Sequence, residues 1–369
     1  MKLTPLINPK IKIPFFPVLN IVSVSGGKDS AATLLLALEE NTPNLIAVFA
    51  DTGNEHQITY EYIRYLEKKT GVPISWLKAD FTKQIKEKRR FIANDMRFGR
   101  KYKTIPVFDS SGQPVWKRSF TGEIVYKEVK KNGVVTKKPI QKIIKVGGGH
   151  KVRWSNKAKR SALSVLHPTG NPFLDLCLWK GRFPSTKARF CSTELKREVI
   201  LYKLQFPLID QGFKIISWQG VRADESADRA KLKISDNIGD GVTNYRPIHK
   251  WSASDCFDMH FKYGVEPNPL YLQGMGRVGC MPCIHCTKDE LRQISDRFPE
   301  EIERIAQWES LVGKASKLLA STLFTSDKRG HGVYEVVEWS KTTRGGRHYD
   351  LIPLTEDSTA CSSVYGLCE

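Results

Sequence analysis

The 369-residue chain lacks any apolar run close to the roughly 20 residues that a membrane-spanning helix needs. Its N-terminal region also lacks the unbroken apolar stretch of a secretory signal, because Pro5, Pro9, Pro14 and Pro17 interrupt it. We therefore expect a cytoplasmic protein with no membrane partner. Without such a signal, its eight cysteines favour metal binding or redox chemistry over a set of disulfides.

Acidic residues are scarce in residues 83–160, which we call the basic segment. It contains 23 Lys and Arg but only 5 Asp and Glu, and so carries +18 of the net charge of +19. This favours a polyanionic partner, with DNA or RNA ahead of an anionic membrane. Interleaved aromatic residues suit stacking on bases: Phe91, Phe98, Tyr102, Trp116, Phe120, Tyr126 and Trp154. The alternative is a solvated basic surface whose aromatics form a small hairpin core.

Outside the basic segment, short apolar runs alternate with helical patterns. The patterns predict strands at 19–24, 45–50, 73–78 and 214–218, and helices at 30–40, 57–70 and 252–263. Asp29 is in position to cap the first helix. The alternation of strand and helix predicts an α/β fold with a doubly wound, mainly parallel sheet.

The basic segment interrupts this pattern and is predicted to be partly β. Runs at 108–116 and 123–136 predict hairpins, and three consecutive glycines at 147–149 predict a flexible joint. We therefore predict one α/β domain formed by residues 1–82 and 161–290. The basic segment is its insertion, and residues 291–369 form a helical and coil extension.

The strongest local signal lies between the first strand and the first helix, where the chain reads Ser25-Gly26-Gly27-Lys28-Asp29-Ser30. Glycines let the backbone approach a phosphate closely, and a helix N-terminus offers free N–H groups. The serines can donate hydrogen bonds, Lys28 adds a positive charge, and Asp29 can hold Mg²⁺ on the phosphates. The spacing matches neither the Walker loop nor the dinucleotide fingerprint. An ordinary Ser-Gly turn that caps a helix is the alternative.

This loop resembles the PP-loop of the ATP pyrophosphatases, a superfamily whose fold is adenine nucleotide alpha-hydrolase-like. The resemblance implies an enzyme that cleaves ATP between the α- and β-phosphates, so that a substrate oxygen becomes adenylylated. Lys28 and Asp29 would then be catalytic. Residues 49–55 after the second strand are similar as well, which implies that Asp51 lies near the nucleotide.

Later motifs resemble the phosphoadenosine phosphosulfate (PAPS) reductase-like family. They are most similar to its phage- and defence-associated members and to the sulfur-transferring enzyme of DNA phosphorothioation. The motifs lie at residues 188–196, 220–229, 268–271 and 279–283. Residues 339–342 and 344–346 are also similar to the phage-type members.

Three thiols lie within seven residues, at Cys280, Cys283 and Cys286. This spacing suits one soft metal centre, either a [4Fe-4S] cluster or Zn²⁺, and free thiols are the remaining alternative. The family resemblance implies Cys191 as the fourth ligand. The rivals for that position are two tail cysteines, Cys361 and Cys368.

The chain departs from true sulfonucleotide reductases in three ways. The family's cluster-bearing reductases have two adjacent cysteines where this chain has Cys191 and Ser192. Their nucleophilic tail cysteine lies in a different motif from that of Cys368, and they tend to lack the complete Lys-Asp-Ser end of the loop. These departures favour ATP-driven activation over sulfonucleotide reduction. Cys368 is still a candidate nucleophile, and the alternative is a tail thiol without a role.

Arg222 and Arg229, with Glu225 between them, follow the strand predicted at 214–218. Ligands bind at the carboxyl ends of parallel strands, and arginine forks suit phosphate or sulfate oxygens. Lys196 lies five residues after Cys191 and is expected to reach both the nucleotide and the metal centre. Exposed helix charge is the alternative for these residues.

Three functions follow. The first is a PAPS reductase-like enzyme that releases pyrophosphate from ATP and transfers sulfur to DNA or RNA, supplied by a donor such as a cysteine desulfurase. The second is reduction of PAPS or adenylylsulfate to sulfite, with a sulfonucleotide as substrate. The third is a non-catalytic component of a modification or defence system that binds ATP and nucleic acid.

Overall fold

A computed structural model of the protein describes residues 18–131, 134–239, 241–326 and 330–343. The chain divides into two compact units. Unit 1 combines Met1–Arg89 with Ser161–Glu369, and unit 2 is Arg90–Arg160. The predictions on Cys361, Cys368 and residues 344–346 lie outside the described residues. None of the described helices is both long and apolar enough to cross a membrane.

The described elements follow one another as strands and helices of ordinary length. The strands are β1 (Val18–Val24), β2 (Leu45–Asp51), β3 (Ile74–Lys78), β4 (Arg100–Pro106), β5 (Tyr126–Lys131), β6 (Val134–Pro139), β7 (Ile143–Lys151), β8 (Lys214–Trp218), β9 (Ser235–Gly239), β10 (Val242–Tyr245), β11 (Thr325–Ser326) and β12 (Gly330–His331). The helices are α1 (Lys28–Glu39), α2 (Gln57–Thr70), α3 (Thr82–Ala93), α4 (Asn156–Val165), α5 (Pro172–Lys180), α6 (Glu198–Ile200), α7 (Phe206–Ile209), α8 (Ala227–Ala230), α9 (Ala253–Lys262), α10 (Lys288–Arg297), α11 (Pro299–Ala315) and α12 (Val333–Ser340). Two π-helical stretches, Ser192–Arg197 and Leu201–Gln205, join α6 and α7 into one helical segment.

Unit 1 is built on a six-stranded sheet with the order β3-β2-β1-β8-β10-β9. All neighbouring strands run parallel except β9 and β10, which are antiparallel. The predicted mainly parallel α/β sheet is therefore confirmed. The antiparallel edge pair was not predicted, because β9 is polar and largely exposed and carries no apolar alternation.

The sheet is covered by helices on both faces, as a doubly wound fold requires. Successive residues of β1 point to opposite faces, and both Ile21 and Val22 are fully buried. Val22 packs in a core with residues of α1, α2 and α9. Ile21 packs in the other core with Val199 and Leu208, which come from the segment of α6 and α7. The carboxyl ends of the parallel strands are thus left to carry a site.

Helix ends follow the capping chemistry of the sequence, with one exception. Helix α2 ends at Gly71, which adopts the left-handed conformation, and α9 begins at Ser252 with a capping box completed by Asp255. Asp29 was predicted to cap α1, and this is wrong. The helix begins one residue earlier at Lys28, so Gly27 is the N-cap and Asp29 lies in the first turn.

Unit 2 contains two antiparallel strand pairs, β4 with β7 and β5 with β6. The pair of β5 and β6 confirms the hairpin predicted at 123–136, although its turn, residues 132–133, lies outside the described residues. The hairpin predicted at 108–116 is wrong, since that segment forms only an isolated bridge between Phe108 and Pro114. The predicted glycine joint at 147–149 is also wrong, because those residues belong to β7, which is hydrogen-bonded to β4.

Candidate functional site

The phosphate loop, residues 25–30, connects β1 to α1 at the carboxyl edge of the sheet. The Ser30 hydroxyl oxygen accepts hydrogen bonds from the backbone N–H and the hydroxyl of Ser25, at 3.0 and 3.1 Å. The same Ser30 hydroxyl donates to the carbonyl of Gly27 at 2.9 Å. The two serines therefore brace the loop across its mouth, so that its conformation is set by the chain itself.

Residues 268–271 pack behind the phosphate loop and fix its position. The side-chain amide of Asn268 donates to the Gly26 carbonyl at 3.1 Å, and the Lys28 backbone N–H donates to the Tyr271 hydroxyl at 2.9 Å. Both Asn268 and Tyr271 are almost fully buried. Two motifs that lie more than 240 residues apart in the sequence thus form one structure.

Asp29 is held between two cations. Its Oδ1 atom lies 2.5 Å from Nε of Arg222, and its Oδ2 atom lies 3.5 Å from Nζ of Lys28. The thiol of Cys256 donates to the same Oδ1 at 3.4 Å, and burial, followed by the charge of Asp29, raises the pKa of that thiol. The carboxylate is therefore engaged within the protein, and Mg²⁺ could take it only in exchange for one of these contacts.

The segment that follows β8 brings a second set of charges to the loop. Gly220 lies against the start of α1, where a Cβ atom would stand 2.9 Å from the Asp29 carbonyl oxygen, so only glycine allows this approach. Arg222 donates its backbone N–H to Glu225 at 3.1 Å, and Glu225 forms an ion pair with Arg229. Arg222 is only 5% exposed and acts mainly as the partner of Asp29, whereas Arg229 is half-exposed.

One cavity with about 620 Å³ of space joins these elements, and we call it the main cavity. It collects most of the residues predicted from the sequence to bind the nucleotide: Ser25, Gly27, Lys28, Asp29, Ser30, Lys196, Arg222, Glu225 and Arg229. It also collects three of the four predicted metal ligands: Cys191, Cys280 and Cys283. Phosphate-binding and thiol chemistry therefore meet in one space within unit 1.

Two predicted residues lie elsewhere. Asp51 does not line the main cavity, because its carboxylate turns towards α2 and accepts hydrogen bonds from Gly53 N–H at 2.8 Å and from the Tyr60 hydroxyl at 2.9 Å. Its neighbour Thr52 lines the cavity instead. Cys286 lines a smaller adjoining cavity, together with Cys280 and Cys283.

The thiols are embedded among cationic side chains. Arg277 donates to the Sγ atom of Cys283 at 3.6 Å. Burial raises the pKa of Cys280, and the nearby ammonium group of Lys196 opposes that rise. Reciprocally, the charge of Cys280 raises the pKa of Lys196. Lys196 therefore lies beside the cysteines as well as in the main cavity, as the sequence predicted.

A buried carboxylate supports the cysteine loop from the sheet side. Glu55 is 5% exposed and accepts hydrogen bonds from the Thr52 hydroxyl at 2.7 Å and from the Thr52 N–H at 3.2 Å. The thiol of Cys280 lies 3.6 Å from the Thr52 hydroxyl, and Cys280 and Glu55 form an isolated β-bridge. Strand β2 thus anchors the first cysteine of the cluster directly.

The donor set suits a soft metal centre, since four cysteines line two adjoining cavities beside cations that stabilise thiolates. In the arrangement that the structure describes, no three or more His, Cys, Asp or Glu residues are grouped closely enough to hold a metal ion. The residues therefore fit a metal centre by chemistry and neighbourhood, and binding requires their side chains to turn towards one another.

Several residues of the site were missed from the sequence. Arg189 and Arg277 add two further cations to the main cavity, and Tyr271 and Thr52 add hydroxyl groups. Arg189 precedes Cys191 by two residues and Arg277 precedes Cys280 by three, so a count of cations beside the cysteines would have found both. The role of Tyr271 required the fold, because its partner Lys28 is 243 residues away.

Comparisons with known proteins agree with this site. The family model of the phosphoadenosine phosphosulfate reductase domain matches residues 20–89 and 186–286, which contain the phosphate loop and the four cysteines. An adenosine 5′-phosphosulfate reductase of Streptomyces coelicolor is 38% identical over 68 residues, which are 17% of this chain and 28% of that enzyme. A solved phosphoadenylyl-sulfate reductase of Candida auris, in a phosphate complex, has a TM-score of 0.35 and 11% identity, and the match covers 73% of this chain and 83% of that chain.

One relative matches almost from end to end. The uncharacterized 37.8 kDa protein in the gpa 5′ region of Escherichia phage 186 is 44% identical, and the match covers 95% of this chain and 97% of that protein. The match includes unit 2 as well as the α/β unit, so the two proteins share their whole organisation. The chain therefore belongs to the same family as the phage 186 protein, and it carries the phosphoadenosine phosphosulfate reductase domain.

Proposed function

We propose that the protein is an enzyme that binds ATP at the phosphate loop, releases pyrophosphate and activates an acceptor oxygen for sulfur transfer, with nucleic acid as the acceptor. The observation that carries the proposal is the main cavity, in which the loop, the Arg222–Glu225–Arg229 charges and three cysteines face one space. An adenylylated acceptor formed at the loop would meet the thiols without leaving this cavity. The loop also keeps Lys28, Asp29 and Ser30, the residues that its resemblance to ATP pyrophosphatases associates with ATP cleavage.

The proposed chemistry has two balanced steps. An acceptor oxygen attacks the α-phosphorus of ATP, a new O–P bond forms, and the bond to the bridging oxygen of pyrophosphate breaks. A sulfur nucleophile from a donor, such as the persulfide made by a cysteine desulfurase, then attacks the acceptor atom, and AMP leaves with the former acceptor oxygen. Lys28 and the loop N–H groups stabilise the charge that develops on the leaving pyrophosphate.

Mg²⁺ bound to the ATP phosphates would neutralise part of their charge. Asp29 is the residue in the loop that offers a carboxylate for it, and its contact with Lys28 at 3.5 Å is longer than its contact with Arg222 at 2.5 Å. We therefore propose that the Lys28 contact is the one exchanged when ATP arrives, which moves the Lys28 ammonium towards the phosphates while Arg222 keeps Asp29 in position.

We also propose that Cys191, Cys280, Cys283 and Cys286 hold a [4Fe-4S] cluster, which would hold or pass sulfur. The support is the donor set beside the main cavity and the cations around it. Iron, sulfide and zinc analysis of protein purified without oxygen separates the alternatives. About four iron and four sulfide ions per chain support the cluster, whereas a colourless protein with one zinc ion contradicts it.

The test of ATP cleavage is pyrophosphate release from ATP and Mg²⁺, with single-stranded and duplex DNA and RNA offered as acceptors. We expect release that depends on an acceptor, and we expect Lys28→Ala to abolish it. Lys69→Ala is the matched control, because Lys69 is an exposed lysine at the end of α2. No pyrophosphate with any acceptor, together with unchanged ATP binding in Lys28→Ala, would refute the proposal.

Reduction of a sulfonucleotide to sulfite is the second candidate. Its support is the matching domain and the short segment shared with adenosine 5′-phosphosulfate reductases. The arginines of the main cavity would bind the phosphate or sulfate groups, and Cys368 would act as the nucleophile. Sulfite formed from PAPS or adenylylsulfate with thioredoxin, and lost in Cys368→Ser, would favour this candidate over ATP cleavage.

A further inference from the structure

Unit 2 contains a cleft of its own, which no part of the nucleotide chemistry uses. It has about 300 Å³ of space and is lined by Arg97, Phe98, Gly99, Arg100, Lys151 and Arg153, and we call it the arginine cleft. Four of the six lining residues are cations and none is acidic. The whole unit carries 19 Lys and Arg against 4 Asp and Glu, so the cleft lies in a surrounding of net charge +15.

The first arginine of the cleft is held in place by a buried carboxylate. Asp95 is 3% exposed, and its two oxygens accept from Nε and Nη2 of Arg97 at 2.7 and 3.1 Å. Asp95 also accepts the backbone N–H of Trp154 at 2.8 Å, and Lys159 donates to its carbonyl at 2.9 Å. The hydrogen bonds from Arg97 hold the pKa of Asp95 well below its ordinary range, so the pair persists across physiological pH.

The other residues of the cleft are placed by the ribbon of β4 and β7. Arg100 donates to the carbonyls of Gly148 and Gly149, which lie on the facing strand. Arg97 also bonds the carbonyl of Val152 at 3.1 Å, and its guanidinium lies 4.7 Å from the centre of the Phe91 ring. These contacts spend part of each guanidinium on the protein and fix its plane, which lowers the entropic cost of binding an anion.

Phe98 is the apolar member of the cleft, and 86% of its side chain is exposed. An aromatic ring this exposed gains nothing for folding, but it offers a face on which a nucleic-acid base can stack. A second ring, Phe120, is fully exposed at a turn of the same unit, but it does not line the cleft. The cleft thus combines a stacking face with fixed and mobile cations.

We propose that the arginine cleft is a binding site for single-stranded nucleic acid, with a base stacked on Phe98 and the flanking phosphates held by Arg97, Arg100, Lys151 and Arg153. Bases in a duplex are already stacked on each other and cannot reach Phe98, whereas a single strand presents them. A membrane surface would match the charge but would leave the stacking face and the arginine planes without a purpose. As the acceptor site of an enzyme, the cleft rests on the proposed function; as a binding site, it is tested without ATP.

The experiment is fluorescence anisotropy of labelled 20-nucleotide single strands with the full chain, at two or more salt concentrations and without nucleotide. Phe98→Ala is expected to weaken binding by about tenfold, because one stacked base is lost. Arg153→Ala is expected to weaken binding and to lower the slope of log K against log salt by about 0.7, which corresponds to one phosphate contact on a single strand. A duplex of the same length is expected to bind more weakly than the single strand.

Phe120→Ala and Lys137→Ala are the matched controls, since both residues are exposed in unit 2 and lie outside the cleft. We expect Phe120→Ala to bind as the parent does, and Lys137→Ala to change affinity less than Arg153→Ala. Equal affinity of Phe98→Ala and parent, or tighter binding of duplex than of single strands, would overturn the proposal. Binding without pyrophosphate release would leave the cleft standing and remove the proposed reaction, and release without binding would do the reverse.

Discussion

The carboxylate of Asp29 links the nucleotide loop to the rest of the site at the scale of single residues. It lies between Arg222, which is nearly buried, and Lys28, and it also accepts the Cys256 thiol. Removing one partner of a buried ion pair leaves the other charge uncompensated, which costs more than the pair itself contributes. The arginine that the sequence assigned to phosphate therefore has a structural duty as well.

We predict that Arg222→Ala lowers the free energy of unfolding by about 3 kcal/mol, because Asp29 loses its nearest cation in a largely buried place. Denaturant unfolding followed by circular dichroism measures this. Arg229→Ala is the control, since its ion pair with Glu225 is half-exposed, and it should cost less than about 1 kcal/mol. Equal losses in the two variants would mean that Arg222 serves only the ligand.

Helix α2 carries an unusual cap at the scale of elements. His56 precedes the helix, and its Nδ1 atom accepts the backbone N–H of Ile58 at 3.2 Å, which only the neutral ring can do. The ring packs on Phe298 with 4.6 Å between centroids. Burial lowers the pKa of His56 below its ordinary value, and the carboxylate of Glu300 partly opposes this.

We predict that this cap makes stability depend on pH in a defined direction. The unfolded chain protonates His56 near pH 6.5, at a higher pH than the folded chain does, so the contribution of the cap is complete above about pH 6.5 and is lost as the pH falls below it. Unfolding free energies at pH 7 and pH 5 should differ by about 1 kcal/mol more in the parent than in His56→Asn, because asparagine caps without titrating. Identical pH profiles would contradict the assignment.

The sequence predicted the elements well where one physical signal dominated. Buried apolar runs located β1, β2 and β3, and stop chemistry at Gly71 located the end of α2 to the residue. Signals of similar strength that competed gave errors. Gly147 to Gly149 looked like a joint because the sequence does not show that β4 supplies their hydrogen-bond partners. The π-helical turns after Cys191 have no sequence signature of their own.

The charge of the whole molecule is divided as its two units are. The strands of unit 2 are exposed over most of their length, and two-stranded pairs have little stability of their own. Among sites in the described residues, we predict that trypsin cuts first at lysines and arginines of β4, β5, β6 and β7. Mass spectrometry of early fragments measures this. First cuts in α1, α2 or the central sheet, with unit 2 intact, would show that unit 2 is the more stable part.

The site as a whole could be predicted from sequence only in its parts. The motifs gave the phosphate loop, the cysteines and the Arg222–Arg229 segment, because each has a local pattern. Their meeting in one cavity depends on the strand order, in which β8 lies beside β1, and on the packing of Tyr271 against Lys28. Asp51 was misplaced because alternation along β2 turns its side chain to α2 and presents Thr52 to the cavity.

The most direct test of a shared cavity is thiol reactivity in metal-free protein, measured by peptide mass spectrometry after timed alkylation with N-ethylmaleimide. With ATP and Mg²⁺ bound at the phosphate loop, Cys191 and Cys283 should react more slowly, whereas Cys286 in the adjoining cavity should change little. Lys28→Ala should remove the effect of ATP, and Lys69→Ala should keep it. Unchanged alkylation of Cys191 and Cys283 at saturating ATP would contradict a single site that joins the nucleotide to the thiols.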